Sequence, residues 1–509
     1  SSRAAMPTLQ MPPMRRLSAF ACLLVGALLA ACAEPPPAVL EDGRPPSVIL
    51  ISLDTVRADH LGLYGQPRPL TPNLDAFHEE EGAILYERAF STGAWTLSAH
   101  MSMFTGLYPR EHGVNEANRG LSEQIPTLAE RLSERGYATY AVHAGGWIHE
   151  RHGFARGFDV FLVHEDAEEA LDNLAEVLAD HEATRPDDPI FLFLHLFDAH
   201  SAEISGPDVL FYDPPEPWRG RFAPGADGML TARRSLEFLA GKSSPTLYER
   251  KALEALYAAG VAYVDDAFRR MREQFVEYGL LDRAVTIVTA DHGEVSGMRF
   301  SKYRGHGDLY QAGLAIPLLM RLPPSLADRA PGANVVGRPV SLVDLAPTIA
   351  ELTGGKSERF WSGKSLLDPD QEPSEGEFQY PRVIASSLHS ASSLMRYPYK
   401  FIEHRGNPHV FLYNIHDDPE EFFRIKQQAQ IDGRVAPIRR AWDSHVQRRG
   451  EVPGESTFVT AMDEDERKQL AALGYADAVN EVSEETARED DSEPAGGPAA
   501  GPGPGADQR

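Results

Sequence analysis

Cysteine is almost absent from this chain, which has only two in 509 residues. Both of them, Cys22 and Cys32, lie near the start in an apolar, leader-like segment. The chain beyond that segment can therefore form no internal disulfide and offers no thiol nucleophile. Any nucleophile that it uses must be another kind of side chain.

Positive charge is also in short supply. Lysine and arginine total 49 against 75 aspartates and glutamates, so the formal net charge is −26. This balance argues against nucleic acid as a partner, because a phosphate backbone binds cationic surfaces. Part of the excess lies in residues 476–509, where nine acidic and two basic residues stand among prolines and glycines. We predict that this tail is disordered and serves mainly solubility.

Long hydrophobic runs are the third feature that the chain has little of. The run Leu17–Ala30 follows two arginines and is too short to span a bilayer comfortably. It ends in Leu29-Ala30-Ala31-Cys32, which resembles a bacterial lipobox. We predict a lipoprotein signal peptide at residues 1–32, a lipid on Cys32 and a flexible tether at residues 33–46. The protein would then be anchored to the bacterial cell envelope, on the outer membrane facing the periplasm or the surface; an ordinary signal peptide is the alternative.

From residue 47 to about residue 366, short apolar runs alternate with longer helical stretches, which is typical of an α/β fold with a mostly parallel sheet between helices. We predict such a domain at residues 47–370. Residues 201–246 are expected to form a long loop, as a wall of the active site or as a surface insertion. The expected strands are Ser47–Leu53, Ala138–His143, Ile190–Leu196, Ala284–Thr289 and Ile316–Leu322, and the expected helices are Thr127–Glu134, Leu247–Tyr278 and Leu342–Leu352.

The apolar runs become shorter beyond about residue 373. We predict a C-terminal subdomain at residues 371–475, built on a small antiparallel sheet. Its candidate strands are Val383–Ser387, Ser393–Arg396, Tyr399–His404 and His409–Tyr413, and Asp463–Gly474 is a candidate final helix.

Ligand-type side chains stand where two of the expected strands end. Asp54 directly follows one strand, and Asp291 and His292 follow another after a single alanine. Ligands of open α/β sheets gather beyond the carboxyl ends of the strands, so these three side chains are expected to lie close together. Two carboxylates and one imidazole suit a hard or borderline divalent cation. A helix cap for Asp54 and a packed core histidine for His292 are the structural alternatives.

Thr96 lies in Trp95–Gly106, a stretch that indicates a loop turning into a helix. The free amides and the dipole at the start of a helix favour an anion. The hydroxyl of Thr96 would then face a bound anion.

Seven segments, in this order along the chain, resemble the sulfatase branch of the alkaline phosphatase superfamily. The resemblance covers roughly residues 46–475, and its strength comes from the shared order of the segments. They are Leu53–Leu61, Thr71–Asp75, Thr96–Gly106 with Tyr108-Pro109 and His112-Gly113, Thr289–Glu294, Gly305–Tyr310, Val343–Thr348 and Leu412–Ile415.

The resemblance implies an alkaline phosphatase/sulfatase-like α/β fold and a one-metal site. It assigns Asp54, Asp291, His292 and the Thr96 hydroxyl as metal ligands, and Thr96 as a nucleophile that the metal must activate. An imidazole among carboxylates favours zinc or manganese, and calcium stays possible because the family often uses it.

The resemblance also suggests residues that bind the substrate or protonate its leaving group. The candidates are His200, with His195 in reserve, and His306. Lys302 and Arg304 are cations that could bind the anion or remain solvated surface charges. His100, one helical turn after Thr96, could hold the nucleophile or simply pack in the helix.

The chain departs from the sulfatase pattern around the nucleophile. Thr96 stands where typical sulfatases have a cysteine or serine that becomes formylglycine, which threonine cannot form. Ser98 replaces a proline, His100 replaces an arginine, and Thr55 replaces a second aspartate. The lysine and histidine of the family's Gly-Lys-x-His segment are absent from residues 143–147.

These departures favour phosphate over sulfate esters. Sulfated formylglycine releases sulfate by elimination, but a sulfated threonine would have to be attacked at sulfur. A phosphorylated threonine, by contrast, can be attacked at phosphorus by water or an alcohol. We therefore predict a metal-dependent hydrolase of phosphate or sulfate esters, with an anionic ester as substrate and no obligate protein partner. A phosphoethanolamine- or phosphoglycerol-type transferase is one alternative, although such enzymes usually carry several membrane-spanning helices. A non-catalytic, anion-binding surface lipoprotein is the other.

Overall fold

The computed structural model describes residues 38–201, 212–226, 242–294, 308–368, 384–388 and 391–458, together with Arg234 and Glu237. All of them lie within one compact unit, Ala38–Arg509. No helix in these ranges is long and apolar enough to cross a membrane. The predicted tail at residues 476–509, the helix at Asp463–Gly474 and the signal peptide at residues 1–32 lie outside the described residues.

The strands form one large sheet, a four-stranded sheet and a two-stranded ribbon. In chain order they are β1 (Ser47–Leu53), β2 (Ala83–Phe90), β3 (Arg119–Gly120), β4 (Ala138–His143), β5 (Val160–Val163), β6 (Ile190–Leu196), β7 (Ala284–Thr289), β8 (Ala315–Ile316), β9 (Leu318–Arg321), β10 (Val335–Ser341), β11 (Ile384–Leu388), β12 (Ala391–Arg396), β13 (Tyr399–His404), β14 (Val410–Asn414) and β15 (Thr457–Phe458).

The helices flank these strands. The α-helices of the described residues are α1 (Pro72–His78), α2 (Thr96–Thr105), α3 (Pro109–His112), α4 (Leu128–Ser133), α5 (Ala167–Thr184), α6 (Trp218–Phe222), α7 (Leu247–Glu277), α8 (Gln311–Leu314), α9 (Leu345–Thr353) and α10 (Gln428–Arg448). Short 3-10 turns occupy Ala58–His60, Gly62–Tyr64, Glu150–His152, Pro324–Arg329 and Leu342–Asp344.

The large sheet has the order β10-β2-β9-β7-β1-β6-β4-β5, with β8 beside β2. Strands β7, β1, β6, β4 and β5 are parallel to their neighbours in this block. Strand β9 runs antiparallel to both β7 and β2. Every residue of β1, β4, β6 and β7 is buried, as expected for central strands that helices cover on both faces. The predicted fold class is therefore confirmed.

Local sequence signals explain several boundaries. The side chain of Thr127 accepts a hydrogen bond from the Glu130 amide, so a capping box starts α4. Thr246 and Glu249 form the same motif before α7. The strand predicted at Ile316–Leu322 is instead two short strands, β8 and β9, each antiparallel to β2. Pro317 separates them, because proline cannot donate a ladder hydrogen bond.

The flexible tether predicted at residues 33–46 is wrong for residues 38–46. Ala38 and Leu40 are buried, and Ala38 belongs to the main hydrophobic core. A turn closes on the Leu40 amide, which donates to the Arg44 carbonyl oxygen at 2.8 Å. Residues 38–46 therefore belong to the folded unit, because burying these apolar side chains stabilises the ordered chain. Residues 33–37 lie outside the described residues.

The four-stranded sheet β11-β12-β13-β14 is antiparallel throughout, which confirms the predicted small C-terminal sheet. Its first strand adjoins the segment that precedes α2, because the Ser387 amide donates to the Thr92 carbonyl oxygen at 2.9 Å. Lys400 of β13 and Glu421 form a buried ion pair of 2.6 Å. The exact division between the two predicted domains at residues 370 and 371 stays a prediction.

Candidate active site

The candidate site lies at the carboxyl edge of the large sheet, where β7, β1 and β6 are neighbours. Register pairs Ser52 of β1 with Thr289 of β7 and with His195 of β6. Asp54 lies two residues after Ser52, and Asp291 lies two residues after Thr289. The pairing of β1 with β7 therefore brings the two aspartates together. Helix α2 contributes Thr96 from the side.

Asp54, Asp291 and His292 form a compact set of possible metal ligands. One ligand atom from each residue lies within 4.8 Å of the other two, and all three side chains are buried. Asp54 Oδ1 and Asp291 Oδ2 have no hydrogen-bond partner among the described residues. A buried carboxylate oxygen without a partner is costly, and a divalent cation between these atoms would satisfy both. The residues therefore fit a metal ion.

The protonation pattern of the two carboxylates agrees with this fit. Burial and the neighbouring Asp291 carboxylate raise the pKa of Asp54 well above its usual value. Burial alone would also raise the pKa of Asp291, but the interaction with His292, including the hydrogen bond that the His292 amide donates to Oδ1, holds it below its usual value. Two carboxylates this close repel each other when both are ionised, and a bound cation removes that repulsion.

His292 presents one ring nitrogen to the site. Its Nδ1–H donates to the Gly293 carbonyl oxygen at 2.9 Å, because a carbonyl can only accept. The lone pair of Nε2 then faces the site, 3.3 Å from Asp291 Oδ2 and 3.3 Å from Thr96 Oγ1. A backbone carbonyl that fixes the tautomer in this way is typical of metal-binding histidines.

Thr96 is the first residue of α2 and its side chain is buried. Its Oγ1 lies 3.3 Å from Asp54 Oδ2 and 3.3 Å from His292 Nε2. The start of α2 provides free amides and the positive end of the helix dipole. The predicted helix start and the predicted meeting of Thr96 with the ligand set are thus both observed in the geometry.

His100 contacts the backbone of Thr96 one helical turn further along α2. Its Nδ1–H donates to the Thr96 carbonyl oxygen at 2.9 Å, and its Nε2 accepts from the Ser52 hydroxyl at 2.9 Å. The ring is also 3.6 Å from Asp291 Oδ2. Burial lowers the pKa of His100 to about 3, so the ring is neutral where typical sulfatases have a cationic arginine.

The two candidate histidines of the β6 region occupy different places. His200 donates from Nδ1 to the Ser201 carbonyl oxygen at 2.8 Å, and burial lowers its pKa to about 3. His195, the reserve candidate, makes the closer contact, since its Nε2 lies 3.0 Å from Asp54 Oδ2. Lys302, Arg304 and His306 lie outside the described residues.

Two residues that the sequence analysis does not assign to the site support its backbone. Thr55 has a φ of 58°, a left-handed conformation that is rare for a β-branched residue. Its amide donates to Asp291 Oδ1 at 3.2 Å, and its carbonyl oxygen accepts from the Tyr257 hydroxyl at 2.7 Å. Strained backbone of this kind clusters at functional sites. A lone threonine and a distant helical tyrosine carry no local signal that predicts this contact.

Comparison with known proteins gives a consistent picture. A family model described as "Sulfatase" matches residues 46–355. The chain is 27% identical to steryl-sulfatase of Mus musculus over 454 residues, covering 72% of this chain and 71% of that protein. It is 21% identical to an arylsulfatase of Clostridium perfringens (strain 13 / Type A) over 458 residues, covering 78% of this chain and 93% of that protein. The phosphonate monoester hydrolase of Agrobacterium radiobacter is similar in fold, with a TM-score of 0.61, 20% identity and coverage of 79% of this chain and 96% of that one.

Proposed function

This chain belongs to the sulfatase family of ester hydrolases, and on that premise we propose that it cleaves phosphate or sulfate esters at one divalent metal ion with Thr96 as the nucleophile. The observation that carries the proposal is the position of Thr96 Oγ1, 3.3 Å from Asp54 Oδ2 and 3.3 Å from His292 Nε2. A hydroxyl at that place contacts the side chains of two of the three candidate metal ligands, Asp54 and His292.

The chemistry of each group follows from its surroundings. A bound divalent ion would lower the pKa of the Thr96 hydroxyl and neutralise charge on the ester oxygens. The start of α2 directs backbone amides and the helix dipole at the anion. Among the described residues, His200 is our candidate for contact with the departing oxygen. Its Nδ1–H donates to the Ser201 carbonyl oxygen, so Nε2 must take up a proton before it can donate to that oxygen. Zinc or manganese is the proposed ion, because His292 joins two carboxylates in the ligand set.

We favour phosphoester over sulfate-ester hydrolysis. Attack by Thr96 would leave a phosphorylated or sulfated threonine, and water must then attack phosphorus or sulfur to release it. Formylglycine avoids this second attack on sulfur by elimination, but threonine has no such route. The similarity in fold to a protein named phosphonate monoester hydrolase is compatible with reaction at phosphorus.

Paired substrates test this preference. We expect the purified, metal-loaded protein to hydrolyse an aryl phosphate ester with a higher kcat/KM than the matching aryl sulfate. Phosphate monoesters and diesters should both be assayed, with a Thr96→Ala preparation as the control for contaminating hydrolases. A preference for the sulfate would contradict phosphoester specificity. A protein that binds metal but turns over neither substrate would indicate the non-catalytic, anion-binding alternative.

We also propose that the protein is anchored by a lipid on Cys32. The support is the order of charged, apolar and small residues that ends at this cysteine. Cys32→Ala is expected to move the protein from the membrane fraction to the soluble fraction while kcat and KM stay unchanged. Cys22→Ala, within the apolar run, is the matched control and should leave the protein on the membrane. A Cys32→Ala protein that remains membrane-bound would contradict lipid anchoring.

A further inference from the structure

We propose that His195 is a positioning residue that holds Asp54 Oδ2 and thereby turns Asp54 Oδ1 toward the metal. The inference rests on the proposed metal site and adds a residue that the resemblance offers only as a reserve candidate for direct contact with the substrate. His195 would instead act through the carboxylate of Asp54.

The two oxygens of Asp54 are in unequal surroundings. Oδ2 lies 3.0 Å from His195 Nε2 and 3.3 Å from the Thr96 hydroxyl. Oδ1 is buried and has no hydrogen-bond partner among the described residues. A carboxylate that binds a metal through one oxygen is commonly oriented by a hydrogen bond to its other oxygen. Asp54 has this arrangement, with Oδ2 held and Oδ1 left for the metal.

The backbone fixes which nitrogen of His195 carries the proton. The Ala144 amide lies 3.4 Å from His195 Nδ1 and points its N–H at that atom, so Nδ1 must accept. The proton of the neutral ring is then on Nε2, where it donates to Asp54 Oδ2. Ala144 lies in residues 143–147, the segment that lacks the family's lysine and histidine.

The surrounding packing prevents the ring from turning away. His164 donates from Nε2 to the His195 carbonyl oxygen at 2.8 Å. Strand β6 is paired in register with β1 on one side and β4 on the other. The rings of His195 and His100 meet edge to face with centroids 4.9 Å apart. The backbone of His195 is therefore fixed within the sheet, and its ring packs against His100.

The alternative is that His195 is a core histidine that merely fills space. That role predicts a loss of stability when the side chain is changed, with no specific effect on metal affinity. The positioning role predicts that metal affinity depends on a hydrogen-bond donor at the place of Nε2, because the carboxylate loses its orientation without it.

Metal titration separates the two roles. Metal-free wild type, His195→Leu, His195→Gln and His195→Asn are titrated with Zn²⁺ and with Mn²⁺, and folding is checked by circular dichroism. We expect His195→Leu to bind both ions about 10- to 100-fold more weakly than wild type. His195→Gln should recover most of that loss, because its amide nitrogen reaches the place of Nε2. His195→Asn should recover less, because its shorter side chain places the nitrogen near Nδ1.

His181→Leu is the matched control. His181 is also buried, but it lies in α5 and contacts the Tyr140 hydroxyl at 3.2 Å, outside the site. Its replacement should lower stability and leave metal affinity unchanged. A folded His195→Leu protein that binds both ions as tightly as wild type would overturn the inference. If His195→Leu does not fold, equal affinities of the glutamine and asparagine variants would overturn it. Wild type that binds neither ion would instead refute the metal site of the proposed function.

Discussion

Replacing Thr96 by alanine is expected to remove nearly all turnover. Thr96 carries the one hydroxyl that, among the described residues, lies within 3.3 Å of both Asp54 and His292, at the start of α2. Without it no side chain is placed to form the covalent intermediate. The loss in kcat should reach several orders of magnitude, as for other nucleophiles that work together with neighbouring catalytic groups. Steady-state kinetics on the better aryl ester measures it.

The matched variants separate a chemical role from a structural one. Thr96→Ser keeps the hydroxyl and should retain partial activity, whereas Thr96→Ala should keep the fold and the metal because Asp54, Asp291 and His292 remain. Mass spectrometry after rapid quenching should find a phosphoryl or sulfuryl group on the peptide that contains Thr96. If Thr96→Ala keeps more than about a tenth of wild-type turnover, the barrier has risen by less than roughly 1.4 kcal/mol and Thr96 is not the nucleophile.

Removal of the metal should abolish activity as completely as the Thr96→Ala substitution. We expect one tightly held divalent ion per chain, with zinc or manganese favoured, and full recovery of turnover when the chelated protein is reloaded. Asp291→Asn should lose most of the ion, because the neutral amide removes one of the two ligand charges while keeping the side-chain shape. Elemental analysis of the purified proteins gives the stoichiometry.

Asp265→Asn is the control for neutralising a buried carboxylate elsewhere. Asp265 is buried in α7 and accepts hydrogen bonds from the Asn73 and Leu74 amides of α1, which are not candidate ligands. Its replacement should lower stability and leave the metal in place. Wild-type protein with less than about a tenth of an equivalent of any divalent metal, and none taken up on dialysis, would exclude the site as described here.

The buried strands are predictable because their signal is local. Ser47–Leu53, Ala138–His143, Ile190–Leu196 and Ala284–Thr289 are continuous apolar runs, and the structure has the same bounds for each of them. A run of this kind must be shielded on both faces, and only a central strand between two helical layers achieves that. Helix α7 was predictable for a similar reason, through its cap at Thr246 and its long apolar stripe.

Other elements carry weaker local signals. Strand β2 includes the exposed Glu87 and a charged Arg88, so its sequence does not stand out as a central strand. Helix α10 contains Pro437 in its interior. Proline is unfavourable inside a helix, so the sequence does not predict this helix. Helix α10 packs on the four-stranded sheet through Val435 and Ile438, so tertiary contacts compensate for the weak local preference.

The sequence by itself indicated the family, the α/β architecture and the polar side chains at the strand ends, because each can be recognised in short segments and in their order along the chain. Only the tertiary structure decided which histidine touches Asp54. The sequence favoured His200 and kept His195 in reserve, but the pairing of β6 with β1 places His195 opposite Ser52. The left-handed Thr55 and its hydrogen bond from Tyr257 depend equally on packing. Contacts between residues that are distant in sequence arise from strand order and helix docking, and no local pattern encodes them.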